Sequence, residues 1–139
     1  MYFERMKKLL IPLLVGALLP VMSVRAEDSP LAEQMDVIND AYKALRRVDD
    51  AAEGVKLARE GQVATLKAIM ITPEFVEAGG HPDGKEKAMV AYKKQMAELF
   101  VIFVDAEAAC LDDDLDKIKE LVDSFKASKK KGHNEFMEE

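Results

Sequence analysis

The feature that most constrains this chain is a set of four segments in which apolar residues recur at steps of three and four residues. Such spacing places apolar side chains on one face of an α-helix. The alternation of apolar and polar residues that is typical of a β-strand occurs nowhere in the sequence. Because two of the three connections are very short, successive helices are predicted to be antiparallel neighbours. The sequence therefore predicts an all-α fold, an antiparallel up-down-up-down four-helix bundle.

The first two helices have clear start and stop signals. Ser29-Pro30 predicts the beginning of the first, because a serine hydroxyl can cap a helix and proline fits its first turn. Asp49-Asp50 ends that helix and caps the second, which is predicted to run from about Ala51 to Ile71. Thr72-Pro73 stops the second helix, since a residue before proline resists the helical conformation.

The other two helices follow one long connection. Residues 74–84 are rich in glycine and are predicted to form a loop in which His81 is solvated. The third helix is predicted from about Lys85 to Leu111, and the acidic run 112–114 forms the next turn and caps the fourth helix. The single cysteine, Cys110, is predicted to be a buried and unreactive thiol.

Each helix has one apolar face that is predicted to form the core. The residues assigned to these faces are Leu31, Met35, Ile38, Tyr42 and Leu45; Val55, Ala58, Leu66, Ile69 and Met70; Met89, Tyr92, Met96, Leu99, Phe103 and Ala106; and Leu115, Ile118, Val122 and Phe125. Gly54 and Gly61 each lower the propensity of the second helix by roughly 1 kcal/mol relative to alanine, so this helix is predicted to be the weakest.

The first 26 residues are typical of a cleaved secretory signal peptide. A basic start over residues 1–8 precedes an apolar run over residues 9–24, and Val24-Arg25-Ala26 supplies a cleavage site. An uncleaved anchor is disfavoured, because the run contains helix breakers and is shorter than the ~20 residues that a membrane span needs. We expect residues 27–139 to form one exported domain that is not attached to a membrane.

The charge of the expected domain limits its partners. Residues 27–139 carry 25 acidic and 16 basic residues, a formal charge of −9. Such a surface disfavours nucleic acid and anionic lipid, and it suits a partner protein with a basic docking face. The sequence contains no Ser/His/Asp set, carboxylate dyad or Cys/His cluster that offers catalytic chemistry, so we do not expect an enzyme. We also expect the protein to be a monomer.

Met35 and His133 are the candidate functional pair. They lie in the first turns of the first helix and the last turns of the fourth, which meet at one end of an up-down-up-down bundle. His133 follows Phe125 by eight residues, which predicts a position on the core-facing stripe. A thioether and an imidazole are the axial ligands of some electron-transfer haems. On spacing alone, a packed or capping histidine and a gap-filling methionine remain open as simpler interpretations.

Longer stretches of sequence carry a resemblance. The first helix reads Leu-Ala-Glu-Gln-Met-Asp-Val-Ile-Asn-Asp over residues 31–40, and the pattern continues to Thr72-Pro73. The fourth helix adds the stretch from Phe125 through His133, with the aromatic Phe136 three residues later. Over essentially the whole of residues 27–139 the chain resembles the cytochrome b562 family, which are periplasmic four-helix proteins that bind haem.

This resemblance implies a periplasmic electron carrier with one b-type haem, whose iron is bound by Met35 and His133. Both axial positions would then be filled, with no open place for oxygen or substrate. Lys129 stands where the family has an arginine that reaches a propionate, and a lysine can do so only as a point charge. The residues expected to contact the haem are Met35, Ile38, Asn39, Tyr92, Met96, Lys129 and His133.

Several positions depart from the family pattern. Members that bind haem covalently need cysteines where this chain has Lys129 and Gly132, so any haem must be held without a covalent bond. Met96 replaces one of two phenylalanines on the haem face, and Gly132 loosens the turn before His133. The alternative function is therefore a haem-free bundle of the same fold, acting as a periplasmic binding or stress module.

Overall fold

The computed structural model describes residues 29–137, so the predicted signal peptide and the last two residues lie outside the described part of the chain. The helices are α1 (Pro30–Leu45), α2 (Ala51–Ala68), α3 (Glu74–Glu77), α4 (Lys85–Leu111) and α5 (Leu115–Phe136). Within residues 29–137 no strand occurs. The prediction of an all-α four-helix bundle is confirmed, with α3 as a single extra turn in the connection between α2 and α4.

The four long helices pack in a ring. The contacts are extensive between α1 and α2, between α2 and α4, and between α4 and α5, whereas α5 closes the ring against α1 through far fewer residues. The side between α1 and α5 is therefore the open side of the bundle. Among the described helices none is long and apolar enough to cross a membrane.

The predicted caps form. Ser29 Oγ accepts a hydrogen bond from the Ala32 N–H at 3.0 Å, and the Asp50 carboxylate accepts two from the first turn of α2, each at 3.3 Å. The carboxylate of Asp114 accepts one from the Lys117 N–H at 3.1 Å. These bonds satisfy N–H groups that have no partner inside the helix, and they fix where α1, α2 and α5 begin.

Helix α2 ends at Ala68, three residues earlier than predicted. The carbonyl of Ala68 accepts a hydrogen bond from the Ile71 N–H at 3.0 Å, which tightens the chain into a turn, and another from the Tyr92 hydroxyl at 2.6 Å. A hydroxyl on α4 thus satisfies one of the carbonyls that a helix leaves without a partner at its C-terminus. The proline at position 73 comes only after the helix has already ended.

The buried face of α2 consists of small residues, and part of the sequence assignment for this helix is wrong. Leu66 is 52% exposed and Met70 is 79% exposed, although both were predicted to face the core. The residues that α2 buries are Gly54, Ala58, Gly61, Ala64, Thr65 and Ala68. A face built from small residues lets the backbone of α2 approach α4 closely. Val55, Leu57 and Ile69 are only partly buried against the core at the edges of this face.

Two glycines make this close approach possible. A Cβ atom at Gly61 would overlap the ring of Phe103, and one at Gly54 would overlap the thiol of Cys110. Phe103 is 1% exposed and its ring packs edge-on against Phe125, so it has no free space into which it can move. Cys110 is buried as predicted, and burial raises the pKa of its thiol.

Gly61→Ala is expected to destabilise the fold. In an ordinary helix, alanine in place of glycine adds roughly 1 kcal/mol of stability. In this helix the added methyl group meets the Phe103 ring, and overpacking of this kind lowers the free energy of unfolding by about 1–3 kcal/mol. Urea denaturation followed by circular dichroism measures the difference.

Gly132→Ala is the matched control. A Cβ at Gly132 meets Gln95 only at 3.8–4.0 Å, which is ordinary van der Waals contact. This variant should therefore gain up to about 1 kcal/mol from helix propensity. Equal effects of the two substitutions would show that the contact between Gly61 and Phe103 does not limit the approach of the helices.

Candidate functional site

Two side-chain contacts set the register between α1 and α5 on the open side of the bundle. The rings of Tyr42 and Phe125 are stacked, with centroids 4.3 Å apart and an interplanar angle of 10°. One turn closer to the end of the bundle, Lys129 Nζ donates a hydrogen bond to Asn39 Oδ1 at 2.9 Å. Successive facing pairs therefore lie nearer the N-terminus of α1 and nearer the C-terminus of α5.

Met35 and His133 occupy the next positions in this register. Met35 precedes Asn39 by four residues, and His133 follows Lys129 by four residues. In antiparallel helices a step of about one turn in opposite directions leads from one facing pair to the next. Met35 and His133 thus lie on the edges of α1 and α5 that face each other, at the end of the open side.

The two side chains differ in burial. Met35 is partly buried and packs against the core, whereas His133 is exposed. The prediction that His133 lies on the core-facing stripe with Phe125 is wrong, because eight residues turn a helix about 80° beyond two full turns. His133 instead shares the edge of Val122, which lines the space between α1 and α5. In the described part of the chain neither of its ring nitrogens bonds a protein group.

The other predicted haem contacts fall into two sets. Asn39 and Lys129 are joined at the surface by the hydrogen bond described above. Ile38, Tyr92 and Met96 are 3%, 2% and 6% exposed and belong to the same apolar core that Met35 packs against. The structure thus gathers a polar pair at the edge of the open side and three buried side chains within the core.

Tyr92 links this end of the core to α2 and α5. Its hydroxyl donates to the carbonyl of Ala68, and its ring packs edge-on against Phe136 with centroids 5.5 Å apart. Burial raises the pKa of the Tyr92 phenol well above its usual range, so the hydroxyl stays protonated and acts as a donor at any physiological pH. The ring is therefore held in place from both sides.

His81 is buried, which corrects the prediction that it is a solvated loop residue. Its side chain is 5% exposed, and its ring stacks on Phe136 with centroids 5.9 Å apart. Its Nδ1 accepts a hydrogen bond from the Asp83 N–H at 3.2 Å, and its Nε2 lies 3.9 Å from a carboxylate oxygen of Glu135. The loop between α3 and α4 thus covers the end of α5, a long-range contact for which the local sequence has no signal.

Gln95 also holds the end of α5, and sequence reasoning missed it. It is a polar residue on the buried side of α4, only 3% exposed. Its Nε2 donates hydrogen bonds to the carbonyl and the hydroxyl of Ser128, at 2.8 and 3.2 Å. The turn that precedes Lys129 and His133 is thereby fixed to α4.

A separate groove of about 490 Å³ lies at the other end of the open side. Tyr42 and Leu45 of α1 and Ile118 and Val122 of α5 form its apolar wall, and charged residues surround its mouth. None of the haem contacts predicted from the sequence lines this groove. It is therefore distinct from the place where Met35 and His133 face each other.

Comparison with known proteins decides the family. The sequence profile described as cytochrome b562 matches residues 30–137, which covers all five helices. The chain belongs to the cytochrome b562 family. Proteins of this family are four-helix bundles that bind a b-type haem and carry electrons, without being enzymes. No curated protein matches the chain.

The family assignment agrees with the chemistry of the described residues. Within residues 29–137 no group of three or more His, Cys, Asp or Glu side chains is placed to hold a metal ion. The pair of donors that α1 and α5 bring to one edge is a thioether and an imidazole, and both are ligands that haem iron accepts. These two donor types are compatible with the b-type haem that proteins of the cytochrome b562 family bind.

Tyr92→Phe is expected to lower the free energy of unfolding by about 1 kcal/mol, because it removes one hydrogen bond and keeps the ring. The loss should be at the low end, since the Ala68 carbonyl keeps its bond from the Ile71 N–H. Urea denaturation measures the change. A loss above about 3 kcal/mol, the upper range for an unsatisfied buried group, would mean that this carbonyl depends on the hydroxyl alone.

Proposed function

We propose that this member of the cytochrome b562 family is a periplasmic electron carrier that binds one non-covalent b-type haem through Met35 and His133. The observation that carries the proposal is the hydrogen bond between Lys129 and Asn39, which fixes the register of α5 on α1. One turn further along each helix in that register stand the thioether and the imidazole.

The second argument is the difference between the two histidines of the chain. His81 is buried against Phe136, and its Nδ1 is already used by the Asp83 N–H. His133 is exposed on the edge of α5 that faces α1. An imidazole that is accessible and bonds no other group among the described residues is the better iron ligand, so the proposal assigns this role to His133.

The proposed mechanism uses a small set of side chains. A haem supplies one-electron transfer between Fe(II) and Fe(III), and a thioether ligand raises its potential. Met35 and His133 would hold the haem iron through the thioether sulfur and an imidazole nitrogen. Ile38, Tyr92 and Met96 would present apolar surface that excludes water from the ring.

The polar pair at the edge has a separate role in this proposal. Lys129 is held by Asn39 beside the proposed ligands, so its ammonium would be available to a haem propionate as a point charge. The acidic surface of residues 27–139 would then dock a redox partner whose contact face is basic. Export to the periplasm follows from the predicted signal peptide.

The alternative is a haem-free bundle of the same fold. The exposure of His133 favours it, because an exposed histidine near a helix C-terminus needs no further function to explain it. The two functions differ in one measurable property, the visible absorption of the purified protein. A protein that stays colourless and does not take up added haemin would decide for the haem-free bundle.

The protein purified from the periplasm is expected to be red. Its reduced form should give the sharp spectrum of low-spin, six-coordinate iron, since two axial ligands leave no open position. Acid–acetone should extract all of the haem, because residues 129 and 132 are not cysteines and no thioether link can form. Colour that stays with the polypeptide after extraction would contradict the non-covalent assignment.

His133→Ala and Met35→Ala are expected to differ in their effects. Loss of the imidazole should weaken haem binding strongly, whereas loss of the thioether should leave a bound, high-spin haem at a lower potential. Haemin titration and the spectrum of each variant measure the two effects.

Two control variants match these substitutions. His81→Ala removes the other imidazole, and Met89→Ala removes another partly buried methionine of the same end of the bundle. Both should keep a low-spin spectrum. If His81→Ala abolishes haem binding and His133→Ala does not, the ligand assignment is wrong.

A further inference from the structure

Besides the faces that form its core, the bundle has an apolar surface that contacts no other part of the chain within residues 29–137. It consists of exposed side chains on α2, on the turn that follows α2 and on α4, and we call it the outer face: Val63, Leu66, Met70, Val90, Val101 and Val104. Met70 is 79% exposed and Val90 is 70% exposed. Contiguous apolar patches on a protein surface mark interaction sites, whereas single exposed residues do not.

On α4 the outer face has the spacing of a coiled-coil seam. Exposed small or apolar residues occur at positions 90, 97, 101, 104, 108 and 111, and Lys94 alone interrupts them. These steps of three and four residues form the a/d pattern of a helix that pairs with another helix. The core-facing residues of α4, such as Tyr92, Leu99 and Phe103, lie on the opposite side. Helix α4 therefore has two apolar stripes, of which the bundle buries one.

The stripe on α2 runs beside this seam. The side chains of Arg59 and Gln62 each reach a carboxylate oxygen of Glu107 at 2.7 Å, and Gln62 also bonds the carbonyl of Phe103. Since α2 and α4 are antiparallel, this register brings Leu66 alongside the middle of α4, near Val101. The two stripes thus form one continuous surface on the side of the ring opposite the open side between α1 and α5.

The charges along α4 select the orientation of a partner. Its first half carries four lysines and two glutamates and is net basic: Lys85, Lys87, Lys93 and Lys94 against Glu86 and Glu98. Between Lys94 and Lys117 the chain has no basic residue. The second half of α4 carries Asp105 and Glu107, of which Glu107 is paired with Arg59, and three more aspartates follow in the turn over residues 112–114. A second α4 laid antiparallel against the first places each basic half beside an acidic half, and a parallel arrangement places like charges together. The surface is therefore complementary to itself when turned by a two-fold axis.

We propose that the outer face is the interface of a two-fold symmetric homodimer, in which the α4 helices of two copies cross antiparallel near Val101. A two-fold axis brings the same patch of both subunits together, so the patch must be complementary to itself, as the outer face is. Helix α4, with 27 residues, is about 40 Å long, so with α2 beside it the face can bury the ~800 Å² per subunit of a stable interface. The proposal departs from the monomer expected from the sequence.

The dimer leaves the haem site of the proposed function free. The open side between α1 and α5 lies across the ring from α2 and α4, so both copies would present it outward. The interface does not use Met35 or His133, and its test does not depend on haem binding. Measurements with and without added haemin therefore separate failure of the dimer from failure of the proposed function.

Sedimentation velocity of the purified protein tests the mass. At about 10–100 µM the protein should sediment as a dimer, and Val101→Glu should sediment as a monomer, because the axis brings two carboxylates together. Val37→Glu is the matched control, since Val37 is also exposed but lies on α1. It should stay dimeric. A wild-type monomer at all of these concentrations would overturn the proposal.

Cysteine cross-linking tests the geometry and does not depend on how Val101→Glu folds. Val101→Cys should form an intermolecular disulfide on mild oxidation, because residue 101 of each copy lies at the axis, within the Cβ separation of about 4 Å that a disulfide needs. Val90→Cys and Leu111→Cys should cross-link little when each is alone and readily when the two are mixed, since antiparallel helices pair these positions. The buried Cys110 contributes no background.

The pattern of cross-links discriminates between arrangements. Self-linking of Val90→Cys that equals that of Val101→Cys would indicate a parallel pair and overturn the proposed dimer. Binding of the monomeric protein to phosphatidylcholine vesicles, with no cross-link at any of the three positions, would assign the outer face to a lipid surface and also overturn it.

Discussion

The close approach of α2 to α4 is the constraint on which the rest of the bundle depends. Glycine at positions 54 and 61 leaves room for Cys110 and for the ring of Phe103, and any larger residue there would push the helices apart. Phe103 in turn packs on Phe125 of α5, whose ring stacks on Tyr42 of α1. A single chain of contacts therefore runs from the tightest interface of the bundle to its open side.

Periodicity and capping rules were enough to predict the helices but not the side of α2 that faces inward. The start of each capped helix and the full extent of α4 match the sequence prediction, because local hydrogen bonds determine them. Leu66 and Met70 were misplaced because hydrophobicity was read as burial. In α2 the fully buried positions hold small residues, whereas Leu66 and the following Met70 lie on another face. A rule that takes the apolar face of a helix as its buried face cannot decide between two apolar stripes.

The candidate site divides in the same way. Tyr92, Met96 and Ile38 are buried as a simple helical pattern implies, since each belongs to a core stripe. His133 and His81 were both misjudged, for different reasons. His81 is covered by Phe136, and His133 lies about 80° from the stripe of Phe125. The register between α1 and α5 is given by the contact of Tyr42 with Phe125 and by that of Asn39 with Lys129.

The small contact between α1 and α5 has a kinetic consequence. The residues that meet there, such as Asn39 and Lys129, are 90 positions apart in the chain, so this contact closes the longest loop of the fold. We therefore expect it to form last as the chain folds and to open first by local fluctuation, while the other three helix interfaces stay packed. Opening of the contact between α1 and α5 would then limit how fast any ligand held between the first and last helices enters and leaves. The residence time of such a ligand would depend on the rate of this opening as well as on the strength of the bonds that hold the ligand.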